Sequence, residues 1–346
     1  MSNALIDQLA TYSESDWLAA IEELLPSIHE VDRAAVQIWF RFYPLGLKRY
    51  IDAAEDRDET LRGLNMLGTF ELADQIDTSH HFLYGHRFWK AAKCSIGKEI
   101  DEYKAGTSLV DLIKEVGIRI AEKCGVERPL VNAIAAVGLA TLNQVGPEAF
   151  QSTPGETEKR PKGLMGKAPE AIVAERRKDE SQGLLGFLRT VNKKFAVSFS
   201  GLQTSGQFPI ILDEEIASAS QKDLAKDWQS QDSRCWQGPV PIECTAASCG
   251  TCWIGVIEGK EKLTEVGRRE RRQMNVFGYD QPDEPKPFIR LACQARAEGN
   301  VTIVIPPWNA VFGKKVYGNV EAVELEPVTT SAKHLRETIA SAVTSE

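Results

Sequence analysis

The first 150 residues place their apolar side chains at the three- and four-residue spacing of amphipathic helices, and no stretch alternates as a strand would. One predicted helix begins after the cap segment Ser13–Asp16 and ends at Pro26. Further helices are predicted over residues 31–44, 69–97, 108–123 and 129–144. The pattern therefore predicts an all-α helical domain over residues 1–150.

The remainder of the chain changes character twice. Residues 151–192 are rich in proline, glycine and charge, apart from a short helical piece near 168–177, and we interpret them as a linker. Strand signals then appear at 195–199, 208–212, 253–257 and 301–305, with a helix candidate at about 220–229. This pattern predicts an α+β domain over residues 193–307, followed by a C-terminal extension, 308–346. The chain is therefore expected to be multidomain.

Seven cysteines occur in the chain, and four of them form one spaced pattern. Cys244, Cys249 and Cys252 have C-x4-C-x2-C spacing, and Cys293 follows 41 residues after Cys252. An odd number of cysteines, with no secretory signal visible, argues against a disulfide framework. The pattern instead indicates a metal centre. The other three cysteines, which we predict to be free thiols, are Cys94, Cys124 and Cys235.

The spacing fits a [2Fe–2S] cluster better than a zinc ion. Such a cluster takes four thiolates, two on each iron, and three of them can come from one loop that wraps around it. The residues between the loop cysteines are small, so backbone N–H groups can approach the sulfurs. Zinc is the alternative, but structural zinc sites more often use two separate C-x2-C pairs.

With this motif, residues 193–307 resemble the [2Fe–2S] ferredoxin family, both the plant-type proteins and the bacterial domains that are fused to other modules. The resemblance implies a β-grasp fold, in which a hairpin, a helix and the cysteine loop precede a strand, the RLACQ segment (290–294) and a last strand. It also implies that Cys244 and Cys249 bind one iron, and that Cys252 and Cys293 bind the other.

Two loop positions depart from the family pattern. Thr245 and Ala247 stand where the family often has arginine and glycine. Because alanine lacks the freedom of glycine at positive φ, we expect the loop to differ locally. The stretch between Cys252 and Cys293 is also longer than in the plant proteins.

Four arginines lie in this longer stretch, at 268, 269, 271 and 272. They are interpreted either as a solvated helix face, with Glu265 and Glu270 as ion-pair partners, or as a docking patch. Such a patch would receive an acidic redox partner or an acidic domain of the same chain.

Three histidines, His80, His81 and His86, lie within seven residues among aromatic side chains. On one regular helix they could not face a single metal, because roughly 140° and 240° would separate His81 and His80 from His86. A bend at Gly85 would change this. A haem b with one of these histidines as an axial ligand, and His29 from another helix as its partner, is one hypothesis for the helical domain.

A non-haem iron is a second hypothesis, because Asp77-x-x-His80 and His29-x-x-Asp32 have the i,i+3 spacing of ligands on a helix. Against it, the chain has no Glu-x-x-His pair, which di-iron proteins usually repeat. The third hypothesis is that the helical domain holds no cofactor and serves in docking or assembly.

Charge and composition exclude several function classes. Residues 1–150 contain 23 acidic and 15 basic side chains, which accounts for the whole net charge of −8. A chain with this acidic balance is not expected to bind nucleic acid, and no apolar run is long enough for a transmembrane segment. No G-x-G-x-x-G fingerprint indicates a nicotinamide or flavin site.

The sequence therefore predicts a cytoplasmic one-electron carrier, with a ferredoxin domain fused to a helical docking domain, rather than a stand-alone enzyme. Its expected partner is a redox protein, either a reductase or an oxidase. A self-contained redox enzyme or sensor, whose helical domain binds haem or iron through the histidine cluster, is the alternative.

Overall fold

A computed structural model of the protein describes residues 4–69, 71–103, 106–155, 163–178, 193–201, 204–279, 281, 283–309, 311–318 and 320. The chain divides into two compact units. The helical unit consists of residues 1–50 and 70–175, and the sheet unit consists of residues 51–69 and 176–346. This division differs from the predicted boundaries at 150 and 193, because residues 51–69 group with the sheet unit and the segment up to 175 groups with the helical unit.

Helices dominate the helical unit, as the apolar spacing predicted. They are Ala4–Thr11 (α1), Glu14–Leu24 (α2), Glu30–Phe42 (α3), Leu45–Asp52 (α4, which runs into the sheet unit), Trp89–Glu102 (α6), Leu109–Cys124 (α7), Asn132–Val145 (α8), Pro147–Ser152 (α9) and Pro169–Arg177 (α10). A further helix, Arg57–Gly63 (α5), belongs to the sheet unit. The predicted caps are present: the Ser108 side chain accepts from Asp111 N–H at the start of α7, and Gly125 ends it in the left-handed conformation.

The centre of the helical unit is α8, whose residues 132–142 are all buried. It packs against α3, α6 and α7. Because a helix that is buried on every side has no polar face to show, its sequence is almost entirely apolar or small.

The predicted helix over 69–97 is correct only in its last part. Short 3-10 helices, Leu72–Gln75 and Tyr84–Phe88, and turns precede α6. The physical reason is a buried carboxylate: Asp32 accepts from the Tyr84 and Gly85 N–H groups at 2.6 and 2.8 Å, so these donors are satisfied outside a regular helix.

Part of the predicted linker belongs to the core of the helical unit. Ile172 and Val173 of α10 are buried in a cluster with Val31 and Tyr84. Their burial explains why this charged segment holds a helix. The predicted segments 156–162 and 179–192 lie outside the described residues.

A five-stranded mixed sheet forms the centre of the sheet unit. Its strands are Lys194–Ser200 (β2), Ser205–Ile211 (β3), Trp253–Glu258 (β5), Ile289–Leu291 (β6) and Val301–Val304 (β8). The strand order is β3-β2-β8-β5-β6, in which β2 and β8 are parallel and the other neighbours are antiparallel. The four predicted strands are present, and β6 is an addition.

The predicted helix at 220–229 is replaced by two shorter ones, Ile216–Ser220 (α11) and Trp228–Gln231 (α12). The intervening residues are charged, and Leu224 is 74% exposed, so a continuous helix there would have no apolar face to bury. Two small strand pairs complete the sheet unit, and one of them joins Leu67–Gly68 (β1) to Trp308–Asn309 (β9). The other pairs Glu214–Glu215 (β4) with Arg296–Ala297 (β7).

The first part of the predicted C-terminal extension is therefore built into the sheet unit. Trp308 and Phe312 are fully buried, and a short helix, Gly313–Tyr317 (α14), packs against Arg268–Phe277 (α13). Residues 321–346, including His334, lie outside the described residues. Within the described part of the chain, no helix has the length and apolar character that a membrane crossing requires.

Candidate metal centre

Strand register brings the fourth predicted ligand to the cysteine loop. The loop, residues 244–252, leads directly into β5, and Cys293 follows β6. Because Trp253 is paired with Leu291 in the antiparallel β5–β6 ladder, Cys252 lies opposite Ala292, and Cys293 is the next residue along the chain. Ala292 N–H donates to Cys252 O at 2.9 Å and closes this end of the ladder.

The four thiols form two hydrogen-bonded pairs, Cys244 with Cys249 and Cys252 with Cys293. Within the first pair, this hydrogen bond lowers the pKa of Cys244 and raises that of Cys249. Within the second pair, it lowers the pKa of Cys293 and raises that of Cys252. The pairs are neighbours, because the charge of Cys244 acts on Cys293 and that of Cys249 acts on Cys252. The arrangement favours one thiolate in each pair.

Backbone and side-chain donors surround these sulfurs. The N–H groups of Ala246 and Ser248 donate to Cys244, and the Ser248 hydroxyl lies 3.3 Å from its Sγ. Thr251 donates to Cys249 from both its backbone and its hydroxyl. Because N–H and O–H donors stabilise negative sulfur, the loop is suited to thiolates.

The second pair receives donors in the same way. Ala247 N–H donates to Cys293, and Cys293 N–H donates to Cys252. Gln294 adds a side-chain donor, with its Nε2 3.6 Å from the Cys293 Sγ. Sequence reasoning did not assign a role to Gln294, although it lies in the quoted RLACQ segment.

The loop keeps a left-handed residue at the position where the family pattern has glycine. Ala247 has φ of +56°, and Gly250 has φ of +65°. A Cβ at Gly250 would overlap the ring of Phe277 from α13, so packing also requires glycine there. We expected the loop to differ locally at Ala247. Instead of avoiding the left-handed region that glycine favours, the alanine adopts it, at the cost of backbone strain.

Helix α13 contacts both cysteine-bearing segments. Near its C-terminal end, the Phe277 ring covers Gly250 of the loop. Near its start, the Glu270 carboxylate accepts from Leu291 N–H at 2.8 Å, two residues before Cys293. Glu270 also forms a buried ion pair with Arg290. The interpretation of Glu270 as a surface partner of the neighbouring arginines is therefore wrong, because its carboxylate faces the interior.

The three remaining cysteines make contacts with residues other than the four paired cysteines. Cys235 is buried, its thiol lies 3.3 Å from the Pro239 carbonyl oxygen, and burial raises its pKa to about 12. Cys94 is exposed, and a hydrogen bond from Lys123 lowers its pKa, whereas burial raises the pKa of Cys124. None of these contacts involves one of the four cysteines predicted to bind metal.

In the histidine cluster of the helical unit, His80 and His86 form a pair. His80 and His86 face each other with their Nδ1 atoms 2.9 Å apart, and the His80 ring packs on Trp89 with centroids 4.0 Å apart. Burial lowers the pKa of His80 well below its usual value and that of His86 to about 4. Both rings are therefore neutral at pH 7, and one Nδ1–H donates to the other ring.

The other candidate histidines have separate roles. The His29 Nδ1 accepts from Val31 N–H as the cap of α3, and its Nε2 lies 3.6 Å from Glu170. The His81 Nδ1 lies 2.7 Å from the Thr78 carbonyl oxygen. The contacts of His80, His81 and His86 engage their Nδ1 atoms, whereas the His80 Nε2 is buried and has no hydrogen-bond partner within the described part of the chain. Because a histidine nitrogen without a partner is what an axial ligand requires, the haem hypothesis stays a prediction.

The two carboxylates considered as iron ligands are also engaged. Asp32 accepts from backbone N–H groups, as described above, and Asp77 accepts from Trp89 Nε1 at 2.8 Å and from Gly155 N–H at 2.9 Å. Among the described residues, no group of three or more histidine, cysteine or acidic side chains is arranged to hold a metal ion.

Comparisons with known proteins add no assignment. A scan against protein-family models, a search of curated proteins and a search of solved structures each gave no match.

Proposed function

We propose that the sheet unit is a [2Fe–2S] ferredoxin domain and that the protein carries single electrons. One observation supports this most strongly: the four cysteines of the C-x4-C-x2-C…C pattern lie in two adjacent thiol pairs. A binuclear cluster takes two thiolates on each iron, so two pairs are the donor set that it requires. The pairs are also those that the family resemblance implies for the two irons.

The element order supports the same proposal. A hairpin (β2–β3), helices, the cysteine loop, a strand (β5), the RLACQ segment and a last strand (β8) follow one another along the chain. The last strand lies beside the first, parallel to it, at the centre of the sheet. This is the order that the β-grasp resemblance implies.

The residues of this chain would hold the two irons and stabilise the charge on their sulfur ligands. Cys244 and Cys249 would hold one iron, and Cys252 and Cys293 the other. The surrounding N–H and O–H donors would stabilise the negative sulfurs, which favours the reduced state. When bound, the cluster supplies a centre that accepts and donates one electron at a time. The proposed partner is a reductase or an oxidase that exchanges this electron.

Purified full-length protein, reconstituted with iron and sulfide under anaerobic conditions, tests the proposal. We expect about two irons and two sulfides per chain, together with an S = ½ electron paramagnetic resonance signal after reduction. Cys293→Ser should change or abolish this signal, whereas Cys235→Ser should leave it intact. Stoichiometric zinc without sulfide would contradict the proposal, and so would loss of the cluster in Cys235→Ser.

The haem and non-haem iron hypotheses for the helical unit stay predictions beside this proposal. The carboxylates of Asp32 and Asp77 accept hydrogen bonds from the protein, whereas the buried His80 Nε2 has no partner among the described residues.

A further inference from the structure

The solvent-facing side of α13 carries three arginines. Arg268, Arg269 and Arg272 are exposed, and none of their side chains forms a hydrogen bond or an ion pair within the described part of the chain. At 100° per residue they lie within an arc of about 100° on the helix. We call these three residues the arginine face. Arg271 is different, because its guanidinium donates to the carbonyl oxygens of Gln281 and Glu284.

Local ion pairing does not explain this face. The acidic residue among these arginines, Glu270, is fully buried and bonds to Arg290. Arg268 and Arg269 also lie in the first turn of α13, where the helix dipole is positive and disfavours cations. The cluster therefore concentrates positive charge that the helix itself does not stabilise, in a chain whose net charge is −8.

The helix that carries this face is attached to both cysteine-bearing segments, through Phe277 at Gly250 and Glu270 at Leu291. Arg272 is five residues from Phe277, which corresponds to about 8 Å along the helix. Around the helix, however, Glu270 and Phe277 lie on the buried side, so a partner that docks on the arginine face would be separated from the segments that hold the proposed cluster by the width of this one helix.

We propose that the arginine face is the docking surface for an acidic protein, the electron partner of this chain. The inference rests on the proposed function, which requires a partner to approach the cysteine loop. Opposite charge supplies the recognition, because several guanidinium groups attract a carboxylate-rich surface and orient it before contact. The step that follows docking is the transfer of one electron, which oxidises the donor and reduces the acceptor by one unit. A protein is favoured over nucleic acid, because the proposed function requires a partner that exchanges an electron.

The test compares two forms of one probe, cytochrome c and its succinylated form, in which lysine ammonium groups have become carboxylates. Binding to the full-length protein is measured by calorimetry at 10 and 150 mM ionic strength, after iron and sulfide have been assayed. We expect the succinylated form to bind more tightly than the native form. Because the Debye length is about 30 Å at the lower salt and 8 Å at the higher, the preference should weaken with salt.

Two charge-matched variants separate the arginine face from net charge. R268Q/R269Q/R272Q should lower the affinity for the succinylated probe about tenfold or more at 10 mM ionic strength. K194Q/K226Q/K314Q removes three charges from exposed lysines on other parts of the same unit and should change it less than about threefold. R268K/R269K/R272K keeps the charge and should retain binding. Hydrogen exchange should slow in α13 when the probe is bound.

Equal losses in the two glutamine variants would overturn the docking proposal, since net charge would then explain binding. Tighter binding of duplex DNA than of the succinylated probe at 150 mM ionic strength would also overturn it. These outcomes are distinct from failure of the proposed function. A chain that holds zinc and still binds the probe through the arginine face would contradict only the proposed electron-carrier function. A cluster-loaded chain whose affinity for the probe does not depend on the three arginines would contradict only the docking surface.

Discussion

Glu270 and Arg290 form an ion pair from which water is excluded. Both side chains are fully buried, and the carboxylate meets Arg290 Nε and Nη2 at 2.9 Å each. The same carboxylate accepts from Leu291 N–H, and Arg290 also donates to the Thr264 carbonyl oxygen. The pair thus joins α13 to the strand that leads to Cys293, and its geometry satisfies both charges.

Glu270→Gln should destabilise the sheet unit by about 3–5 kcal/mol, because it leaves the Arg290 charge buried without a counter-charge. The free energy of unfolding, from denaturant titration of the full chain, measures this. Glu265→Gln is the control, because Glu265 is exposed and should change stability by less than about 0.5 kcal/mol. A double variant, Glu270→Leu with Arg290→Met, should be more stable than Glu270→Gln alone, since no charge is then left unpaired. A Glu270→Gln protein as stable as the control would show that the pair contributes nothing.

This pair also shows what sequence reasoning could and could not provide. The helix caps at Ser108 and Gly125 and the apolar strand runs are local signals, and they predicted their elements well. Glu270 was misinterpreted because its nearest charges in sequence are arginines, while its partner is 20 residues away. An ion pair between residues this far apart in sequence produces no periodic pattern from which it could be predicted. The same limit applies to residues 67–68, which pair with residues 308–309.

In the candidate site, too, local features could be predicted from the sequence and long-range contacts could not. Cysteine spacing selected four of the seven cysteines as candidate ligands, because ligands on one loop are constrained by local chain geometry. Their pairing was implied only by the family resemblance, and their role as ligands stays a prediction. The sulfur donors Ser248, Thr251 and Gln294 were not singled out, since small polar residues near a loop are common. The clustering of the histidines in sequence predicted a ligand set, and this stays a prediction. The contacts that shape the segment come from Asp32 and Trp89, whose distance from one another in sequence hides them from a local pattern.

Ala247→Gly should leave the free energy of unfolding unchanged or raise it by up to about 1.5 kcal/mol. Alanine at φ of +56° is strained by roughly 1–2 kcal/mol, and glycine relieves this strain while costing ~0.5–1 kcal/mol in backbone entropy. Ala246→Gly is the matched control, because Ala246 is not among the described residues with positive φ and should bear the full entropic cost. Denaturant titration of both variants gives the comparison. The argument fails if Ala247→Gly is destabilised more than Ala246→Gly.

The free cysteines should differ in their rates of alkylation. Cys94 is exposed and the Lys123 hydrogen bond lowers its pKa, so it should react first with iodoacetamide at pH 8. Cys124 should be slower, because burial raises its pKa, and Cys235, with a pKa of about 12 and a buried sulfur, should be protected in the native state. Peptide mass mapping over time measures the order, with denatured protein as the control in which all three react. Fast labelling of native Cys235 would contradict its buried placement.

The His80–His86 pair should make the helical unit sensitive to acid. Burial lowers the pKa of both histidines in the folded state, so the unfolded chain takes up protons first as the pH falls through about 6.5. Stability that is fully present above this pH is then lost towards the folded pKa, which is about 4 for His86. The loss should approach 1.4 kcal/mol per pH unit for each histidine. Amide hydrogen exchange of α6, measured in the full chain at pH 7.5 and 5.5, reports the stability of the helical unit. The four paired cysteines belong to the sheet unit and do not contribute to this signal. His80→Phe with His86→Leu should flatten the pH dependence, and an unchanged slope in that variant would assign the acid sensitivity to other groups.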